Sequence, residues 1–212
     1  MKKCLFISLK AFGAGLAISL GSILNILSLT YIPNGKFVGS LLFPIGLMIV
    51  CFCSLNLYTG KIGSLFRIFN KKSFSLDLII MLISNILISF LAGFIFYFIV
   101  NNNPNIMSTI NGIFTKKTQA NHFNVFIGSM FCGAFVYTAV YFFKKYKSPL
   151  MKAFGILVSI GLFVYMGYDH CIANSFYFAA ANGLGNYQTY IALLLSIIGN
   201  SIGAIILDRM IG

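Results

Sequence analysis

Residues 167–174 read Gly167-Tyr168-Asp169-His170-Cys171-Ile172-Ala173-Asn174 and interrupt an apolar segment that begins near Ala153. An acid, a histidine and an asparagine are costly in hydrocarbon. The helix must therefore break there, with the freed polar groups buried in protein or lining a wet cavity. A second interruption, Asn56-Leu57-Tyr58-Thr59-Gly60-Lys61, closes an apolar run that starts at Val38 and contains Phe43-Pro44-Ile45-Gly46 near its beginning. Two interruptions in corresponding places predict a pathway between two halves of one fold.

Working outward, apolar runs predict six spans: residues 11–34, 38–58, 78–100, 123–143, a fifth from about 153 into the Gly167 break, and 190–207. The stretch 101–121, with Pro104 and Lys116-Lys117, reads as a polar connection. Of 212 residues, 59% are hydrophobic and 8% charged, against about 25% charged in soluble domains, so this chain lacks the polar surface a soluble domain needs. Six spans of about 20 residues leave room only for short connections. The expectation is one all-α integral membrane domain over residues 1–212. Each half has three spans, the second interrupted and the third carrying Ser84-Asn85 or Gly199-Asn200. Three crossings per half turn the second copy upside down, giving inverted repeats at about 1–105 and 106–212.

The net charge of +12 would suggest nucleic acid in a soluble protein. Here it maps onto topology. The amino-terminal end, the loops 61–72 and 144–152 and the tail hold twelve basic residues, whereas Lys36, Lys116 and Lys117 fall on the other side. This asymmetry predicts a multi-pass plasma or inner membrane protein with both termini cytoplasmic and no nucleic-acid partner. Met1-Lys2-Lys3 resembles the start of a signal peptide, but Lys10 interrupts its core and the apolar run continues to Ile32, so it reads as a retained first span. Five cysteines make an odd number that argues against a disulfide framework; Cys51 and Cys53 point about 200° apart on a helix and cannot share a metal. No metal or cofactor is expected.

At these residues the chain resembles the formate/nitrite transporter family of pentameric, aquaporin-like anion channels, a family that includes hydrosulfide channels. Phe43-Pro44-Ile45-Gly46-Leu47-Met48 with Asn56-Leu57-Tyr58-Thr59-Gly60 is similar to the family's second helix and its acidic-Leu-Phe-Thr-Gly-Asn loop. Gly167 to Asn174 resembles the Gly-Phe-Glu-His-Ser-Val-Ala-Asn break of the fifth helix, and Gly199-Asn200-Ser201-Ile202-Gly203 a sixth-helix motif. The resemblance implies broken second and fifth helices and a homopentamer in the bilayer. It implies a pathway for a small monovalent anion (formate, nitrite or hydrosulfide) past His170, with Thr59 as its hydroxyl partner, Lys117 in the vestibule and Asn174 beside them. It places apolar constrictions at Phe43, Leu47, Leu57 and Phe163. Three positions depart from the family pattern: Asn56 replaces an acid, Lys61 replaces the loop asparagine, and Gly133 stands where an asparagine is usual. The amino-terminal helix that bears on gating in some members is expected to be missing.

A bare carboxylate-sized anion in a dry constriction costs on the order of 20 kcal/mol by the idealised Born estimate. Either donors between the constrictions or protonation of the anion must offset this, and His170 with Thr59 serves either, coupling anion to proton. Lys117 is expected to concentrate anions. Asp169, with Gly60 and Gly167, is expected to be structural, its carboxylate accepting backbone amides freed by the break. Thr59 reads equally as a cap of its own break. Phe43 and Phe163 read in isolation as core or lipid-facing aromatics, Lys117 as a solvated charge beside Lys116, and His122 as interfacial. The rival classes are a membrane-embedded enzymatic or structural subunit. No His-Glu-x-x-His, Gly-x-Ser-x-Gly or paired carboxylates are present, only three acids exist, and a structural subunit needs no two breaks around one histidine.

Overall fold

The computed structural model describes residues 2–68 and 71–211. Met1 and part of the basic loop, residues 69 and 70, lie outside the described residues, as do the side chains of Lys2 and Lys71, both counted in the basic asymmetry. The helices are α1 (Lys2–Tyr31), α2 (Gly35–Leu42), α3 (Pro44–Phe52), α4 (Lys71–Val100), α5 (Pro104–Thr118), α6 (His122–Lys145), α7 (Pro149–Met166), α8 (Cys171–Ala180) and α9 (Tyr187–Ile211). Among the described residues, six helical stretches are long and apolar enough to cross a membrane, with α2 and α3 counting together as one.

The first half is α1, α2–α3 and α4; the second is α6, α7–α8 and α9. In α2–α3 the Pro44 ring removes a backbone donor, so the helix is interrupted at Phe43 without changing direction sharply, Phe43 itself keeping helical dihedrals (φ −53°, ψ −40°). The chain leaves the helix after Phe52, earlier than the expected boundary at Tyr58. Ser54 turns it with a left-handed φ of 52°, and the Leu55 amide bonds back to Val50. Apolar Leu55, Leu57 and Tyr58 extend the hydropathy of the run beyond the helix itself. In the second half α7 ends at Gly167, whose φ of 77° closes the helix with Tyr168 N–H on the Phe163 carbonyl at 3.0 Å. The fully buried α8 then starts at Cys171.

Within each half the first and third spans meet tightly at a glycine. A Cβ on Gly133 of α6 would land on the Asn200 carbonyl of α9, and one on Gly15 of α1 would approach the Asn85 carbonyl of α4 at 2.9 Å. Within α1, Ser19, Ser22, Ser28 and Thr30 bond back to the carbonyl four residues earlier, which satisfies these hydroxyls inside the helix. The expected polar connection at 101–121 is instead largely α5. Asn103 caps it by accepting the Ile106 amide, Pro104 fills its first position, and Lys116 and Lys117 end it.

The two faces of the bundle can be told apart by contacts. Lys3 pairs with Asp77 at 2.9 Å and Arg67 with Asp208 at 2.7 Å on the face carrying the termini. On the opposite face Thr30 bonds Thr109 and His122 lies 3.2 Å from Gln188.

Candidate functional site

Two asparagines of the third spans hold the two breaks in the same way. Asn200 accepts the Cys171 amide at 2.9 Å and donates to the Asp169 carbonyl at 2.8 Å and the Ser129 carbonyl of α6 at 2.8 Å. Asn85 accepts the Tyr58 amide at 2.9 Å and donates to the Asn56 carbonyl at 3.1 Å and the Ala11 carbonyl of α1 at 2.7 Å. Only a side chain that both donates and accepts can satisfy an N–H and a C=O of one break together. Both asparagines are fully buried. The sequence pairs Ser84-Asn85 with Gly199-Asn200, and that repeat is the signal by which this role was findable.

His170 caps α8, its Nδ1 accepting the Ala173 amide at 3.3 Å, and its Nε2 lies 2.9 Å from Thr59 Oγ1 in the loop after α3. With Nδ1 occupied as an acceptor, the neutral ring carries its hydrogen on Nε2 and donates it to Thr59. The Thr59 hydroxyl hydrogen is then available to another acceptor. Thr59 is fully enclosed and His170 is 2% exposed.

Asp169 does not accept the freed backbone amides, which go to Asn200 and to His170 itself. Its Oδ1 takes Lys117 Nζ at 2.8 Å and Asn174 Nδ2 at 2.9 Å. A carboxylate accepts only, and a charge-assisted bond to an ammonium is stronger than one to an amide. Lys117 is thus a partner of Asp169 across the α5–α8 junction, with the two side chains 13% and 10% exposed. The Asn174 amide group is committed to Asp169, which leaves its buried Oδ1 without a hydrogen-bond partner in the protein.

A cavity of about 570 Å³ opens on the face opposite the termini, its wall including Lys117, Asp169, Asn174 and His170 beside Phe43 and Phe163. Lys116 lines the same cavity, whereas His122 is exposed beside Gln188 and does not belong to its wall. The rings of Phe43 and Phe163 meet edge to face at 5.8 Å, and Phe163 stacks on His170 at 6.0 Å. On the terminal face a second cavity of about 310 Å³ is walled by Leu57, Gly60, Lys61 and Lys144. Leu47 and Thr59 belong to the wall of neither cavity and are buried. The structure therefore brings His170, Asn174, Phe43, Phe163 and Lys117 to the wall of the first cavity, joins His170 to the enclosed Thr59, and sets Leu57 on the wall of the second. Among the cysteines, Cys51 is half-buried, Cys53 exposed, and Cys132 and Cys171 buried.

Residues 2–211 match the family model described as Formate/nitrite transporter. The uncharacterized transporter YrhG of Bacillus subtilis (strain 168) is 26% identical over 216 residues, covering 94% of this chain and 81% of that protein. The formate channel FocA of Haemophilus influenzae is 27% identical over 148 residues, covering 66% of this chain and 52% of that channel. Among solved structures, a pentameric formate channel with formate bound superposes with a TM-score of 0.83 at 19% identity, covering 99% of this chain and 96% of that one. An FNT family ion channel superposes with the same TM-score of 0.83 at 19% identity, covering 97% and 88%. The fold is that of these channels, and with the family model matched along almost its whole length the chain belongs to the formate/nitrite transporter family.

Proposed function

We propose that this chain is a channel for small monovalent anions of weak acids, formate foremost, with nitrite and hydrosulfide in the same class. The single observation that carries the reading is the 2.9 Å contact between His170 Nε2 and Thr59 Oγ1, which joins the two helix breaks between two cavities. The family and the formate channels it resembles support the class of cargo.

Anions gather in the outer cavity, where Lys117, Lys116 and Lys36 outnumber Asp169. Past Phe43 and Phe163 a bare anion would face a Born cost on the order of 20 kcal/mol, so the cargo crosses as its neutral acid. The free Asn174 carbonyl suits that form, since it accepts from an acid O–H or S–H and repels a carboxylate. His170 and Thr59 then hydrogen-bond the acid between the aromatic pair and Leu47 and Leu57. The proton is returned to water on the terminal side, so one proton moves with each anion.

The working unit is a single channel domain with repeats at about 1–105 and 106–212, assembled as a homopentamer in the plasma or inner membrane with both termini cytoplasmic. The exposed apolar stripe of Leu76, Ile79, Ile83, Leu87 and Leu91 along α4 suits lipid or a neighbouring copy. Flux of formate, nitrite and hydrosulfide into proteoliposomes across several pH values tests the reading. Formate flux is expected to increase as pH falls and to be lost in His170→Ala. Transport by His170→Ala at the wild-type rate and pH dependence overturns it. A tag on either terminus exposed outside intact cells overturns the orientation.

A further inference from the structure

The smaller cavity, on the terminal face, carries two lysines on its wall, Lys61 and Lys144. Lys61 holds in its break the place that Asn174 holds in the other. Each lies five residues beyond the residue whose carbonyl the third-span asparagine binds, and each donates to that residue's side chain. The exchange of amide for ammonium brings a charge into the pathway. Lys61 Nζ gives one hydrogen to Asn56 Oδ1 at 2.7 Å and keeps two. Among the described residues no carboxylate makes an ion pair with Lys61 or Lys144. Asp77, the acid that acts on Lys61, is itself in contact with Lys3 at 2.9 Å.

Lys144 and Lys10 both repel the Lys61 ammonium, and Lys10 is tied at 3.3 Å to the carbonyl of Ser54 on the cavity wall. At the opposite cavity the corresponding half-buried ammonium, Lys117, is matched by Asp169. A half-buried ammonium without a counter-charge, in a cleft walled by Leu57, Val50 and Phe143, focuses its field on whatever enters. About 310 Å³ holds an anion of a few atoms together with several waters.

We infer that Lys61 and Lys144 form a second anion site, at the terminal-face mouth, for the conjugate base of the small acid that the pathway carries. It rests on the transport reading for the identity of its ligand. It makes the channel asymmetric: on this side a half-buried cation is unpaired, whereas on the other the half-buried Lys117 is paired with Asp169 and the lysines without a carboxylate, Lys36 and Lys116, are exposed.

The test uses the full chain in vesicles of zwitterionic phosphatidylcholine at low salt, where no anionic lipid competes for the lysines. With formate supplied from the terminal face, Lys61→Asn and Lys144→Gln are each expected to raise the half-saturating concentration about fivefold. From the opposite face the value stays within about twofold, and Lys61→Arg restores the first value. An equal shift from both faces, or none, overturns the site. A second readout needs no transport. Cys51 lies on the wall of this cavity, and in a Cys4→Ser, Cys53→Ser background its labelling by an anionic and a cationic methanethiosulfonate can be compared. The anionic reagent is expected to be favoured about tenfold over its ratio with a free small thiol, and the preference to vanish when both lysines are replaced. A ratio equal to that of the free thiol with both lysines present overturns the inference. If Cys51 reacts with neither reagent, the flux comparison decides. Absence of formate flux in the wild-type protein refutes the transport reading instead, and the labelling ratio then decides the site by itself.

Discussion

Replacing Asn200 by leucine keeps the volume of the side chain and removes its hydrogen bonds. The Cys171 N–H and the Asp169 C=O lose their partners in a fully buried place, whereas the Ser129 carbonyl keeps its place in the α6 ladder. At about 1–3 kcal/mol for each orphaned group, the loss is about 2–6 kcal/mol. Asn85→Leu strands the Tyr58 N–H and the Asn56 C=O in the same manner, and the same range applies. The assay is unfolding in mixed micelles of mild detergent and SDS, read alongside formate flux. Asn200→Asp provides the decisive contrast. It keeps an acceptor for Cys171 but sets an anionic oxygen against two carbonyls, so it should be worse than leucine, although it is the closer isostere. A leucine variant within about 1 kcal/mol of wild type, or an aspartate variant better than the leucine one, refutes the reasoning that this residue serves the backbone of the break.

Thr59→Val leaves the His170 Nε2–H without its acceptor, and formate flux is expected to fall about 5- to 100-fold with the fold intact, Thr59→Ser recovering it. Lys117→Met leaves the Asp169 carboxylate enclosed without a cation. It should lower unfolding stability by about 3–5 kcal/mol, most of which returns in the double variant Lys117→Met, Asp169→Asn. Gly112→Ala in α5 adds a methyl to open space and should stabilise by up to about 1 kcal/mol in the same unfolding assay. Gly133→Ala forces α6 off the Asn200 carbonyl and should destabilise.

The spans were legible because hydrocarbon imposes one rule on every residue of a run, and the break at Gly167–Asn174 because it violates that rule so densely. The helix α5 was not, since its apolar residues are few and its sequence is otherwise polar, although Asn103-Pro104 and the terminal Lys116-Lys117 are the marks of a helix start and stop. The end of α3 was misplaced for the opposite reason: Leu55, Leu57 and Tyr58 are apolar but leave the helix, the Leu55 amide going to the Val50 carbonyl and the Tyr58 amide to Asn85. The partner of Asp169 was beyond reach because Lys117 lies 52 residues away and its ammonium arrives only when α5 folds over the break. His170 and Thr59 were named from motifs, whereas their shared hydrogen bond depends on how two loops 111 residues apart meet.

Each asparagine bracket binds the carbonyl of one residue and the amide of the residue two further on, and so settles that stretch of backbone at membrane depth from the third span, His170 adding only the cap on Ala173. Those side chains are consequently free to differ between the halves. At the first bracketed position the pair is Asn56 and Asp169, one residue later Leu57 and His170, and five later Lys61 and Asn174. The histidine of one half therefore faces not its own counterpart but Thr59, a residue two positions further along the other break, because inverted loops approach head to head. Leu57, the residue that does correspond to His170, forms the apolar wall of the terminal-face cavity. The charges separate by the same logic. One half holds an acid that needs Lys117 to balance it, and the other holds Lys61 with a neutral amide as its partner. A symmetric scaffold for the backbone thus carries an asymmetric field for the ligand, and that asymmetry can change by substitution at positions 56, 61, 169 and 174 while both asparagine brackets stay intact.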